Sequence, residues 1–164
     1  MSIEQQNKTV IVSEKGFQAV GLKWEGTFAE AAAGHIRKVH EEMHRRLKEI
    51  QHVVDPDTLQ GLSYHASPDG TGFTHYAVVK VESVAEVPEG MVSITVPDLM
   101  YAQCEHYKGQ SIDQSYNNIY AWIANQGYEH NNVDDLTHFE KYPMKQDPYD
   151  ESPEFSILIP VVKK

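Results

Sequence analysis

The sequence predicts an α+β protein made of two tandem strand-helix-strand-strand repeats, with pseudo-two-fold symmetry, an antiparallel sheet and two helices. Short stretches with a period-two apolar pattern flank two segments with a helical period. The same order of elements occurs twice along the chain. The pattern that precedes the first helix, residues 19–26, also returns at residues 102–109, an offset of 83 residues.

Length and composition fit one folded domain. The chain has 164 residues, of which 40% are hydrophobic and 23% are charged. These values are typical of a globular protein and unlike those of a disordered chain. We therefore expect residues 1–164 to form a single domain, with repeat one over about 9–82 and repeat two over about 91–163.

The first repeat begins with two predicted strands, residues 9–12 and 17–24, which are rich in β-branched and apolar residues. A helix is predicted next, over residues 28–50, because its apolar residues recur at steps of three and four. The helix should end before Asp55-Pro56, since the residue before proline disfavours helical geometry. The apolar residues of this helix are Phe28, Ala32, Ile36, Val39, Met43, Leu47 and Ile50.

A predicted hairpin completes the first repeat. Residues 59–65 and 73–81 alternate as strands, and residues 67–70 form a turn. The second repeat follows a Pro/Gly connector.

The second repeat has the same order. Residues 91–96 and 99–107 read as strands, and a helix starts at Ser111, a good N-cap, and stops at Gly127. Residues 137–142 and 155–162 are the last two strands.

Charge and composition exclude some partners. The 14 Lys and Arg against 24 Asp and Glu give a formal charge of -10, which repels phosphate backbones, so we expect no direct nucleic acid partner. The longest apolar stretch, residues 155–162, is too short to cross a bilayer, so we expect no membrane partner. The lone Cys104 excludes an internal disulfide and favours a cytoplasmic location.

One histidine pattern raises the alternative of a metal site. His40 to His44 matches His-Glu-x-x-His, which on a helix can bind zinc with Glu41 as general base. The helical wheel places both histidines outside the centre of the apolar stripe, so they should point largely to solvent. No third ligand follows on a helix, because His65 and His75 fall on predicted strands. We expect no metal, and a zinc metalloprotease is the weaker alternative.

Glu140 is the strongest candidate for a binding residue. Carboxylates are depleted in the middle of strands, and alternation places Glu140 on one face with His138 and Tyr142. If that face is the inner one, the carboxylate and its aromatic neighbours can bind a lipophilic cation by Coulomb attraction and cation–π contact. The alternative is an edge-strand glutamate that faces water.

Other signals point to no catalytic or cofactor chemistry. The sequence has no glycine-rich phosphate loop, no Cys-x-x-Cys pair and no Gly-x-Ser-x-Gly elbow, so we expect no cofactor. Aromatic residues are frequent on the strands, and each of them has core packing as its alternative role. They are Trp24, Tyr64, Tyr76, Tyr101, Tyr107, Trp122, Phe139 and Tyr142.

Short motifs along residues 10–162 carry a family resemblance through their order and spacing. They are Phe17-x-Ala19-Val20-Gly21-Leu22, Gly61-Leu62, Gly90-Met91, Val96-Pro97, Tyr101-Ala102, His106-x-x-Gly109, Ile119-Tyr120-x-Trp122, Gly127-Tyr128-Glu129, Phe139-Glu140-x-Tyr142 and Ile157-x-Ile159-Pro160-Val161. Together they resemble the GyrI-like effector-binding domain, in particular its integron-cassette, AraC-type subgroup.

The resemblance implies a ligand cleft between the two repeats, lined by aromatic residues, with a strand glutamate at its base that meets cationic lipophilic drugs. By motif position this glutamate is Glu140. The expected ligand-binding residues are Glu140, Tyr64, Tyr76, Tyr101, Trp122, Phe139 and Tyr142.

Two departures from the family pattern affect the expected function. Ser156 occupies a position where relatives often carry a second acidic residue, and Glu154 lies two residues earlier, so a single carboxylate should serve the site. The first strand begins by about residue 9, which leaves little room for the helix-turn-helix segment that many relatives have. We therefore expect a stand-alone protein.

Three functions are consistent with these expectations. The leading one is a small-molecule sensor or sequestering protein for amphipathic or cationic ligands. The second is a hydrolase of reactive ligands, in which Glu140 activates a water and Tyr142 or Tyr107 donates a proton. The third is an interaction protein whose partner is a regulator or DNA gyrase.

Overall fold

A computed structural model of the chain describes residues 5–65, 72–132 and 135–164. Over these residues the elements alternate largely as predicted. The strands are β1 Thr9–Glu14, β2 Phe17–Thr27, β3 Thr58–His65, β4 Gly72–Val81, β5 Val92–Val96, β6 Leu99–His106, β7 Tyr128–His130, β8 Leu136–Pro143 and β9 Phe155–Lys163. The helices are α1 Phe28–Ala32, α2 His35–Arg46 and α3 Ile112–Asn125, with a short 3-10 helix at Leu47–Glu49.

Antiparallel pairing joins the strands into one large sheet. Its order is β1-β6-β9-β8-β3-β4-β2-β5, and β7 pairs with the end of β9. The three strands of the first repeat, β2, β4 and β3, lie in mirror order to those of the second, β6, β9 and β8. The two repeats meet where β3 pairs with β8. This arrangement confirms the predicted α+β fold with tandem repeats.

The helices of both repeats lie on the same face of the sheet. Four residues on neighbouring strands lie in one row across the sheet, each paired with the next: Ala77, Gly61, Glu140 and Ile157. Ala77 belongs to the core under α2, and Ile157 belongs to the core under α3. Directly opposed residues of antiparallel strands point to the same side. The row from Ala77 to Ile157 therefore faces both helices, with Glu140 midway between the two cores.

The other face of the sheet is also buried, because the sheet curls. Phe17 on β2 packs on Phe139 of β8, with ring centroids 5.9 Å apart. Lys141 of β8 lies 2.6 Å from Glu14 of β1. In each pair the two strands are three positions apart in the sheet, a distance of about 14 Å if the sheet were flat. Both ends of the sheet must therefore curve over the central strands.

The predicted single helix over residues 28–50 is wrong, because the structure divides it at Gly34. Gly34 has a φ of +102°, a left-handed conformation that favours glycine and interrupts a right-handed helix. The first piece, α1, starts with a capping box in which Thr27 accepts from the Glu30 amide and Glu30 accepts from the Thr27 amide. The apolar residues keep their helical spacing on both sides of Gly34, so this spacing did not indicate the break.

Other predictions agree with the structure or fall outside it. Ser111 caps α3 by accepting a hydrogen bond from the Gln114 amide, and Gly127 follows the last turn with a φ of +82°. β3 and β4 pair as the predicted hairpin, whereas its predicted turn at residues 67–70 lies outside the described residues. The short strand β7 was not predicted. Within the described ranges, none of the helices has the length and apolar character needed to span a membrane.

Candidate functional site

A cavity of about 360 Å³ opens between the helix-covered face of the sheet and the surrounding loops. Inward-facing residues of β3, β4 and β8 form its floor. Residues of α1, α2 and the loop between β8 and β9 form its walls. The lining residues are Phe28, Ala31, Ile36, Arg37, His40, His44, Leu59, Ser63, Phe73, His75, Ile112, Thr137, His138, Glu140, Tyr142, Pro143, Gln146, Asp147, Pro148, Asp150, Pro153 and Phe155.

Glu140 lies on the cavity floor and is held by two tyrosines. The Tyr142 hydroxyl donates to Glu140 Oε1 at 2.6 Å, and the Tyr116 hydroxyl donates to Oε2. Burial, with the adjacent carboxylate second, raises the pKa of both phenols well above their usual range. Both phenols therefore stay protonated and keep donating to the carboxylate. No lysine or arginine among the described residues pairs with Glu140.

The fixed charges around the cavity are mainly negative. Glu140, Asp147 and Asp150 line it, and Arg37 is the only Lys or Arg among its described lining residues. Lys108 lies 3.8 Å from Asp150 and offsets part of that charge. The Asp, Glu, Lys and Arg residues that line the cavity therefore carry a net negative charge.

A row of aromatic rings in edge and tilted contacts continues from the cavity into the core. The Tyr142 ring makes an edge contact with the His40 ring and a tilted contact with the Phe155 ring, with centroids 5.0 Å and 4.9 Å away. Phe155 in turn packs on His106 at 4.9 Å. Tyr142 and Phe155 line the cavity and give it aromatic surface, whereas His106 lies deeper in the core.

A buried histidine pair lies beside this aromatic row. His40 Nε2 is 3.1 Å from His75 Nε2, and His75 Nδ1 is 3.1 Å from Ser63 Oγ. Burial is the largest cause that lowers the pKa of His40, to about 4, and that of His75 well below its usual range. Both rings are therefore neutral at pH 7.

The expectation that His40 points to solvent is wrong. His40 is only 6% exposed, because its edge of α2 faces the cavity and meets His75 of β4. His44, one turn later, is partly buried and also lines the cavity. Among the described residues no group of three or more His, Cys, Asp or Glu side chains is arranged to hold a metal ion.

The stability of the protein should fall as the pH drops from about 6.5 towards 4. The unfolded chain protonates His40 near its ordinary pKa of 6.5, whereas the folded chain does so only near 4. Between these values the unfolded state binds more protons, so the free energy of unfolding decreases with falling pH, by about 1.4 kcal/mol per pH unit for one histidine. Urea unfolding at a series of pH values measures this slope.

Two variants identify the source of that slope. His40→Gln removes the titrating ring and should make the slope shallower. His52→Asn, at an exposed position with a positive φ that asparagine tolerates, should leave it unchanged. An unaltered slope in His40→Gln would contradict the assignment to His40.

The structure brings only two of the predicted ligand-binding residues to the cavity, Glu140 and Tyr142. Trp122, which belongs to α3, is instead partly buried and stacked on Tyr128, with rings 6.2 Å apart, against the core under that helix. The others belong to the core on the opposite face of the sheet: Tyr64, Tyr76, Tyr101 and Phe139. Alternation explains the division, since Phe139 and Glu140 are neighbours on one strand and point to opposite faces.

Sequence analysis missed several residues of the site. Tyr116 shares a face of α3 with Ile119 and Ile123, so its spacing indicated a core residue and gave no sign of its hydroxyl contact with Glu140. His75 and Ser63 sat on predicted strands without a motif. Their polar character at inward positions of alternating strands was the available signal.

The fold, the cavity and a family profile that matches most of the chain together identify an effector-binding domain, a protein module that takes up a small molecule. A sequence profile for Cass2, the integron-associated effector binding protein, matches residues 10–161. The chain belongs to this family, which confirms the predicted resemblance. Comparison with curated protein sequences finds no match.

Solved structures with the same fold include three informative ones. SAV2435 bound to tetraphenylphosphonium has a TM-score of 0.68 at 18% identity, covering 94% of each chain. The Vibrio cholerae integron cassette protein VCH_CASS2 has a TM-score of 0.60 at 18% identity, covering 94% of this chain and 95% of that one. The EcmrR chain of a DNA complex has a TM-score of 0.67 at 12% identity over 96% of this chain, which spans only 58% of the EcmrR chain.

Proposed function

We propose that this protein binds a lipophilic monocation in the cavity above Glu140 and acts as a sensor or sequestering protein for such compounds. The observation that carries the proposal is the Glu140 carboxylate. It is held by two tyrosine hydroxyls inside an aromatic cavity, and no lysine or arginine of the described residues neutralises it.

The physical argument is one of charge compensation. A carboxylate that is partly removed from water is costly unless hydrogen bonds or an opposite charge offset the loss of hydration. The two tyrosines supply hydrogen bonds but no charge. A guest cation supplies the missing charge, and its apolar groups replace water against Tyr142, Phe155 and the other rings.

The volume of the cavity limits the size of the ligand. About 360 Å³ lies at the lower end of the range of about 300–1,000 Å³ that is usual for pockets that bind drug-sized molecules. The tetraphenylphosphonium complex of SAV2435 supports this ion as a first probe.

For a sensing role, we propose a regulator or DNA gyrase as the protein partner.

Calorimetric titration with tetraphenylphosphonium tests the proposal. We expect one ion to bind per chain, and a concentration of 100 times the dissociation constant should stabilise the fold by about 2.7 kcal/mol. Tetraphenylborate has the same shape and the opposite charge, so it should bind at least about tenfold more weakly. Equal binding of both ions, or of neither, would overturn the proposal.

The geometry gives less support to the hydrolase alternative. Both oxygens of Glu140 already accept hydrogen bonds from tyrosines, which leaves the carboxylate less free to activate a water. Tyr107, one of the two expected proton donors, is 56% exposed and does not line the cavity. Incubation with a lipophilic cation that carries an ester distinguishes binding from turnover, since a hydrolase would cleave the ester and a binding protein would leave it unchanged.

A further inference from the structure

The hydrogen-bonded series Ser63, His75 and His40 forms a second polar feature of the cavity. All three side chains line the cavity and are buried, with exposures of 3%, 2% and 6%. The His40 and His75 ring centroids are 5.3 Å apart while their Nε2 atoms are 3.1 Å apart. The rings therefore meet nearly end to end, as in an N–H···N hydrogen bond.

Within this series, the Nδ1 atom of His40 remains available to hydrogen-bond with a ligand. His40 Nε2 is occupied by His75, and His40 Nδ1 has no partner among the described residues. When Ser63 donates to His75 and His75 donates to His40, the proton of His40 lies on Nδ1, which is then a donor. When the direction of the series is reversed, His40 Nδ1 is an acceptor. The neutral histidine pair can thus either donate or accept a hydrogen bond at His40 Nδ1.

We propose that this cavity recognises lipophilic cations that carry a second, neutral polar group, and that this group forms a hydrogen bond with His40 Nδ1 while the cation lies at Glu140. The inference rests on the proposed function and specifies its ligand class. The second group is a hydroxyl or a carbonyl, because the site can donate or accept.

Tyr142 sets the spacing between the two ligand groups. Its hydroxyl donates to Glu140 at 2.6 Å, and its ring lies edge-on to the His40 ring with centroids 5.0 Å apart. Tyr142 therefore contacts both residues, and a ligand that lies along its ring is close to Glu140 at one end and to His40 at the other. A neutral His40 imposes no repulsion on such a cation, whereas a protonated one would.

The same residues do not favour nucleophilic catalysis. A serine followed by two histidines has the order of a hydrolytic relay, in which the first histidine must accept the proton of the serine. Burial lowers the pKa of His75 well below its usual range, which makes it a weak base. A binding role therefore fits these three residues better than acyl transfer.

The experiment compares three triphenylphosphonium ions whose fourth ring carries a para hydroxyl, acetyl or methyl group. The methyl group matches the hydroxyl in size and forms no hydrogen bond. In the wild type, the hydroxyl and acetyl probes should each bind about three- to tenfold more tightly than the methyl probe, the usual value of one hydrogen bond. In His40→Leu, the three affinities should become equal.

Two further variants keep the result interpretable. His40→Gln retains a side chain that can donate and accept, so it should recover part of the preference. Glu140→Gln should weaken all three probes by a similar factor and preserve their ratio. Thermal unfolding of each variant verifies that it is folded.

The outcomes separate the two proposals. Equal affinities of the three probes in the wild type, or a preference that persists in His40→Leu, would overturn the role of His40 and leave cation binding intact. Failure of all three probes to bind would overturn the proposed function and, with it, this inference. Covalent modification of Ser63 by an ester probe would also overturn the assignment to binding.

Discussion

Glutamine in place of Glu140 is expected to weaken the binding of tetraphenylphosphonium by about 10- to 100-fold. The substitution keeps the shape of the side chain and removes the charge that attracts the cation, and a charged hydrogen-bond partner contributes about 1.5–3 kcal/mol. It also replaces an oxygen that accepts from Tyr116 or Tyr142 with an NH2 group, which cannot accept. Calorimetric titration of both proteins measures the difference.

A neutral probe and a second carboxylate serve as controls for this prediction. Triphenylphosphine oxide has similar aromatic groups without a net charge, so its affinity should change little in Glu140→Gln. Asp147 lines the same cavity but is exposed to solvent, so Asp147→Asn should have a much smaller effect on the cation. Equal losses for the charged and neutral probes would mean that Glu140 maintains the shape of the cavity and does not recognise charge.

Alanine in place of Phe139 is expected to lower the free energy of unfolding by about 3–5 kcal/mol. Phe139 is 0% exposed, and its ring packs on Phe17 and on Tyr101 with centroids 5.9 Å away in both cases. Its removal leaves a void between the curled ends of the sheet and the central strands. Urea unfolding monitored by circular dichroism measures the loss.

Phe28 provides the matched control, because it has the same side chain in the opposite environment. It is 53% exposed, stacks on Phe73 at 4.9 Å and lines the cavity. Phe28→Ala should therefore lose little stability but bind tetraphenylphosphonium more weakly, whereas folded Phe139→Ala should bind it normally. The reverse pattern would mean that the ligand occupies the other face of the sheet.

The local elements of this fold were readable from the sequence because short-range interactions determine them. The cap at Ser111 and the stop at Gly127 depend on a few neighbouring residues, and both agree with the structure. Alternation along residues 137–142 placed His138, Glu140 and Tyr142 on one face, and all three line the cavity. Glu140 was conspicuous because a carboxylate in the middle of a strand conflicts with local preference.

The failures of sequence analysis concern contacts between distant residues. Alternation separates Phe139 from Glu140 but cannot say which face is covered by helices and which is covered by the curling of the sheet. The aromatic residues Tyr64, Tyr76, Tyr101 and Phe139 were therefore grouped with Glu140, although they fill the core behind it. The break at Gly34 is the exception, because a glycine within a helical pattern is a local signal, which the continuing apolar period outweighed.

The sequence by itself determined the types of most elements, their order, the tandem repeat and Glu140 as the residue of interest. Only the tertiary structure decided what surrounds that carboxylate. Tyr116 reaches Glu140 from 24 positions away in the chain, and His40 meets His75 from 35 positions away. Such long-range contacts depend on strand register, sheet curvature and the position of each helix. These features arise from many weak long-range contacts that act together, and no local pattern of residues encodes them.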